Sequence, residues 1–367
     1  MNYYTETNYI DHDSLRTAGS KGRDDYFEVL RRAGLECIRI PTLKTSPDGS
    51  GLFDRVVLEK KLRRVWREAL SGLGRGDALF LHSPVSEKFI GYPGIIEEVR
   101  GRGCKIVNIV FDLETFFMSD YKRLARIKHA ADARTEARLF AAADVMICHN
   151  ERMKDRLMSL GVDENKIVCV GVMDYLRDDD DFNDTGRFSA DGPVVFCGNL
   201  DVNKSGFLYD LAEGAVPGLR MDMYGPGYSG KNSSEVKHMG VFKPAELMDL
   251  MKGSFGLVWD GSSVDTCKGA CGDYLRYNNP HKMSHYLASG MPVLVWEEAA
   301  MADFVTGEGC GLTIKELRQI PSLLSGLGAE EYESLRRNAE RVGLQMRRGE
   351  HIRNAVDEAV RRIDSAE

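Results

Sequence analysis

No run of apolar residues in this chain approaches the roughly 18 that a membrane-spanning helix needs. Positive charge is also in short supply: the formal net charge is −7, which argues against a general nucleic-acid binder. No secretory leader is expected either. Met1 to Asp13 is polar and aromatic with no apolar centre, so the expected compartment is the cytoplasm. Nothing in the sequence resembles a disulfide framework. The eight cysteines are scattered, and Cys37, Cys104, Cys148, Cys169 and Cys197 stand in apolar strand contexts that suit reduced thiols. No short-period repeat is present, which excludes a solenoid.

The chain has 367 residues of ordinary globular composition, enough for two cores. Strand and helix patterns alternate along both halves, which predicts an α/β protein with parallel sheets. Strands are expected at 2–10, 35–40, 78–82, 105–111, 145–148 and 167–172, then at 194–197, 220–224, 236–241, 256–259, 292–297 and 311–314. Residues 174–192 carry four consecutive acids, Asp178 to Asp181, and read as a solvated linker. The expected division is a first Rossmann-like unit at 1–173, a linker at 174–192, a second unit at 193–348, and a terminal helix at 349–367 that returns to the first unit. Basic helices are expected over 54–70 and 120–142. They suit contact with anionic lipid, or simply solvated faces, since both also carry acids.

Three places carry chemistry. The first is Asn279-Pro280-His281-Lys282, where Asn279 reads as an N-cap and Pro280 as the first helical residue. A cation in the first turn of a helix opposes the dipole unless an anion sits there, so Asn279, His281 and Lys282 read as a diphosphate cradle. The second is the loop Ala18-Gly19-Ser20-Lys21-Gly22, which follows the first strand and precedes a helix expected from Asp24. In open α/β sheets such loops lie at the ligand-binding edge. The third is a pair of strand ends. Asp112 and Glu114 follow one strand, His149 and Asn150 the next, and in a parallel sheet these converge. Asp11 and Asp13 would lie beside the same cleft. Cys267, Cys271, His281 and His285 have the composition of a zinc set, although the Cys-x3-Cys spacing is loose.

Trp259-Asp260-Gly261, Asp265-Thr266-Cys267, the run Tyr274 to Lys282 and Leu287-Ala288-Ser289-Gly290-Met291-Pro292 resemble a bacterial group of GT-B glycosyltransferases. That group includes β-1,6-galactofuranosyltransferases of surface polysaccharides and glucosyltransferases that extend N-acetylglucosamine on serine-rich adhesins. Phe111-Asp112-Leu113-Glu114 and His149 to Met153 are similar to its patterns too. The resemblance implies a fold of two Rossmann-like domains facing a cleft, with C-terminal helices. It also implies a UDP-sugar donor and no other cofactor. Tyr224 would contact the nucleotide, Lys282 the diphosphate, and Asn203 and Lys204 the nucleotide loop, with Gly19 and Ser20 facing the donor from the first domain. A homo-oligomer such as a tetramer is implied, with a glycan, glycolipid or glycoprotein acceptor met in the cytoplasm or at the inner membrane face. Where many retaining members carry two glutamates, this chain has Tyr277 and His285, which favours inversion. Inversion needs a base, for which Asp112 stands first and Glu114, His149 and Asp13 behind it. Two other readings compete with a metal-independent inverting transferase: a non-catalytic transferase-like partner, and a zinc enzyme.

Overall fold

The computed structural model describes residues 1–7, 18–41, 43, 52–85, 89–113, 116, 123–182 and 186–365, with the side chains of 18–20, 52, 53, 55 and 123–131 left aside. Asp11, Asp13 and Glu114, three of the candidate acids, lie outside the described residues.

Two six-stranded sheets, each wholly parallel, make up the frame. The first has the order β2-β1-β3-β4-β5-β6. Its strands are β1 (Asn2–Thr7), β2 (Glu36–Ile40), β3 (Ala78–Ser83), β4 (Lys105–Val110), β5 (Val145–Cys148) and β6 (Ile167–Cys169). The second has the order β12-β11-β10-β7-β8-β9. It is built from β7 (Val194–Cys197), β8 (Met221–Tyr224), β9 (Val236–Gly240), β10 (Gly256–Val258), β11 (Val293–Trp296) and β12 (Gly311–Ile314). Helices cover both faces of the sheets, so the central strands β3, β5, β7, β10 and β11 are buried at every position. That is why they read as unbroken apolar runs instead of alternating ones.

The first helix, Ala18–Arg32, begins where the sequence reads as a loop. Gly19, Ser20 and Gly22 weigh against a helix by propensity. Side-chain contacts override them: the Lys21 ammonium donates to Asp25 Oδ1 one turn on at 2.6 Å and, across the fold, to the Leu176 carbonyl at 3.0 Å. The terminal helix, Glu350–Ser365, lays Ile352, Ala355, Val356, Ala359 and Ile363 against the first sheet beside Tyr26, Val29 and Leu30 of the first helix. The chain therefore crosses between the sheets twice.

The two crossings are bound to each other. Tyr175 N–H donates to the Met346 carbonyl and Arg177 N–H to that of Arg347. The acidic run is exposed to solvent, as its composition suggests, and it is also tied to the second crossing. Arg347, 2% exposed, donates to the carbonyls of Ala288, Asp179 and Asp181, and its guanidinium lies 3.9 Å from the Phe182 ring centre. Asp180 pairs with Arg348, and Asp179 with both Arg177 and Arg347. On the helix Leu52–Ala69, Arg63 and Arg67 pair with Glu59 and Glu98, so part of its basic face is internally neutralised. No described helix is long and apolar enough to cross a membrane.

Candidate active site

The carboxyl ends of both sheets open onto one cleft of about 680 Å³, a volume suited to a small-molecule site. From the first sheet come Asp112, after β4, and His149, after β5. The first helix adds Gly22 and Arg23. From the second sheet come Asn199, Asp201, Lys204, Tyr224 and Asp260, and the cleft helix His281–Ala288 presents its amino end.

The start of that helix differs from the sequence reading by one residue. Pro280 has extended ψ of 124° and is the N-cap, so Asn279 falls too early to cap. Asn279 instead joins the two units. Its N–H donates to His149 Nδ1 at 3.0 Å, and its side-chain amide donates to the carbonyls of His149 and Gly171. Its Oδ1 accepts from Asn150 Nδ2 at 2.7 Å, and Asn150 also donates to the Tyr277 carbonyl while capping the helix Glu151–Ser159 through Met153 N–H. The cleft helix is left with no side-chain cap, and uncapped first-turn amides are ready to bind an anion.

Lys282 is not the unpaired cation expected from the sequence. Its ammonium donates to Asp260 Oδ1 at 2.8 Å and to the Trp259 carbonyl at 3.0 Å, and lies 4.4 Å from the Phe196 ring centre. Asp260 thus answers the dipole mismatch from within the chain. Burial lowers the affinity of Lys282 for its proton, and the Asp260 carboxylate opposes that effect. An ammonium has three donors, and two are used here, so one remains for a ligand.

His149, expected as a reserve base, has one ring nitrogen already engaged. Its Nδ1 lone pair accepts the Asn279 N–H, so the neutral ring carries its proton on Nε2 and offers a donor. Burial pushes its pKa down to about 4. His281 packs against the first helix so closely that a Cβ at Gly22 would stand 2.7 Å from its ring. Its ring centre lies 5.1 Å from that of Tyr175, on which His285 also stacks at 4.9 Å. Among the described residues, Nε2 of His285 and both ring nitrogens of His281 are buried without a partner, while the His149 ring faces the Phe111 backbone.

Asp112 faces the cleft, and its carboxylate receives the Tyr274 hydroxyl, which in turn accepts Leu113 N–H at 2.9 Å. Tyr274 belongs to a short helix, Gly269–Tyr274, between β10 and the cleft helix. Lys204 and Tyr224 line the cleft. Asn203 is not among its lining residues; its side-chain amide donates to Asp201. Gly19 and Ser20 lie in the first turn of the first helix, and the cleft residues are their neighbours Gly22 and Arg23. Arg23, Asp201 and Asp260 were not singled out from the sequence, and only the Trp-Asp-Gly pattern pointed near any of them. Among the described residues no three His, Cys, Asp or Glu side chains group to hold a metal ion. His285 is buried against Tyr175 instead.

Residues 2–172 match the family model described as glucosyltransferase 3-like, N-terminal domain, and residues 194–359 the corresponding C-terminal domain. The chain is 28% identical over 354 residues to the β-1,6-galactofuranosyltransferase WbbI of Escherichia coli K12, covering 95% of this chain and 96% of that one. It is 22% identical over 307 residues to glucosyltransferase 3 of Streptococcus gordonii, covering 83% and 85%. Among solved structures, a sucrose-phosphate synthase from Thermosynechococcus elongatus aligns with a TM-score of 0.65 at 12% identity, covering 100% of both chains. HepE of Anabaena in complex with UDP aligns at 0.58 and 10% identity, covering 98% of each.

Proposed function

Because the chain belongs to the glucosyltransferase 3-like family, we propose that its cleft moves a hexose from a UDP-sugar to a sugar hydroxyl, with inversion and without a metal ion. The chain is a glycosyltransferase of the two-domain GT-B form. The observation that carries the mechanistic reading is the uncapped amino end of the cleft helix, with Lys282, opening opposite Asp112 of the other sheet.

Asp112 takes the proton of the acceptor hydroxyl. The oxygen attacks the anomeric carbon, the bond to the diphosphate breaks on the opposite face, and the electron pair leaves with UDP. The first-turn amides, Lys282 and Lys204 then face the charge as it develops, where preorganised donors contribute most. These groups offer the charge a divalent ion would otherwise supply, and the Asp260 carboxylate is already engaged by Lys282. Tyr274 positions Asp112. The names of the relatives support galactofuranose or glucose as the sugar; the proposed acceptor is a glycan, glycolipid or glycoprotein.

The test is turnover with UDP-glucose and UDP-galactofuranose in the presence of a chelator, with the anomeric configuration of the product read by NMR. An inverted product formed at full rate with chelator supports the reading. Retention of configuration, or activity abolished by the chelator and restored by a divalent ion, overturns it.

A further inference from the structure

The described residues that line the cleft, where a polyanionic donor would sit, carry no net formal charge. Among the described residues that line it, the three cations Arg23, Lys204 and Lys282 are matched by the three carboxylates Asp112, Asp201 and Asp260. Lys282 is tied to Asp260 at 2.8 Å, and Lys21, just behind the wall, is tied to Asp25 at 2.6 Å. What the wall has in reserve is imidazole. His149, His281 and His285 all line the cleft, and His281 and His285 have ring nitrogens that are buried with no partner among the described residues.

We propose that the cleft binds a nucleoside diphosphate together with one proton, taken up from solvent by the imidazole of His281. The inference rests on the reading of the cleft as a donor site. His281 stands in the first turn of the uncapped helix, held between the Gly22 backbone and the Tyr175 ring. In the empty cleft, burial and the neighbouring Lys21 and His149 keep it neutral. A diphosphate at the helix end reverses the local field, and an opposite charge within about 4–6 Å favours the protonated ring. The groups facing His281 are Lys21, Gly22 and Arg23 from the first helix, His149 after β5, Tyr175 from the crossing, and His285 and the Lys282–Asp260 pair from its own side of the cleft. His149 is the poorer proton acceptor because its Nδ1 is already used, and His285 lies one turn deeper. Asp25 is also held partly protonated by burial, up to about 6, but it faces Lys21 and the Leu176 N–H and is not among the cleft-lining residues.

The experiment is calorimetric titration of the full chain with UDP near pH 7, in buffers of different ionisation enthalpy. The expected result is a binding heat that changes with buffer in the sense of net proton uptake, and an affinity that weakens with rising pH by up to about tenfold per unit. In His281→Asn, confirmed as folded by its melting curve, the buffer dependence should disappear while UDP still binds more weakly. Buffer-independent heats in the wild type overturn the proposal. So does uptake that persists in His281→Asn but is lost in Asp25→Asn. Absence of any UDP binding to the wild type would instead sink the donor-site reading itself.

Discussion

Replacing Lys282 by alanine separates two roles that the sequence alone merges. From the sequence, Lys282 is a free cation whose loss should weaken donor binding and leave stability intact. The structure changes the second half of that expectation. The lysine and Asp260 side chains are 11% and 8% exposed, so Lys282→Ala leaves a buried carboxylate without its counter-ion. Breaking such a pair costs about 3–5 kcal/mol in closed interiors. The cleft admits water to this one, so the lower end, about 3 kcal/mol, is expected. For a unit of this size that lowers Tm by roughly 6–12 °C. Loss of a charge-assisted contact to the diphosphate should weaken UDP by about 10–100-fold. The double variant Lys282→Ala, Asp260→Asn removes both charges, so it should regain most of the lost stability and none of the UDP affinity. Melting curves and UDP titration of the wild type, the single and the double variant read both effects. A single variant that melts like the wild type, or a double variant that binds UDP like the wild type, would refute the reasoning.

Three further outcomes are expected. Asp112→Asn should lower kcat by about 10²–10⁴ while UDP affinity holds, because a base acts on the acceptor and not on the nucleotide; an unchanged kcat would remove Asp112 as the base. Gly349→Ala should destabilise the fold by about 2–4 kcal/mol, since Gly349 has φ +76° and an added Cβ would stand 2.7 Å from Val29 Cγ2. A melting curve within a degree of wild type would contradict this. Stability should also fall on acidification. His82, His149 and His285 have folded pKa values depressed by burial to about 3, 4 and 3. Their contribution is therefore present above the unfolded value near 6.5 and lost as pH drops toward 4, at about 1.4 kcal/mol per histidine per unit. Denaturant midpoints that stay flat from pH 6.5 to 4.5 would show that these rings are not buried neutral.

How far the sequence could be read depended on the range of the forces involved. Parallel strands buried on both faces leave a local signature, so Val145–Cys148 and Val194–Cys197 are legible to the residue. The start of the first helix is not. Gly-Ser-Lys-Gly favours a loop locally, and the helix is fixed by Lys21 reaching Leu176, 155 positions away. The helix Gly269–Tyr274, with two glycines in six residues, is hidden for the same reason. In the cleft, residue types at strand ends picked out Asp112, His149 and the Asn279–Lys282 corner, all of which line it. What each does was set by partners far along the chain. Asn279 bonds His149 across 130 positions, and Lys282 finds Asp260 across 22. No spacing rule carries that information.

The packing of the terminal helix has a consequence for how the protein is made. Ile352, Ala355, Val356, Ala359 and Ile363 complete one face of a sheet whose last strand ends at Cys169. On the ribosome, that face must wait for about 190 further residues, a delay on the order of 10–40 s at usual synthesis rates. During that interval the nascent first half exposes the apolar positions around Val107 and Val145, while the second half can close its own core. The natural order of maturation is therefore reversed. The half made first finishes last, and it is the half that a holdase would need to shield. A stop codon even a few turns before the end would release a chain whose first sheet never closes.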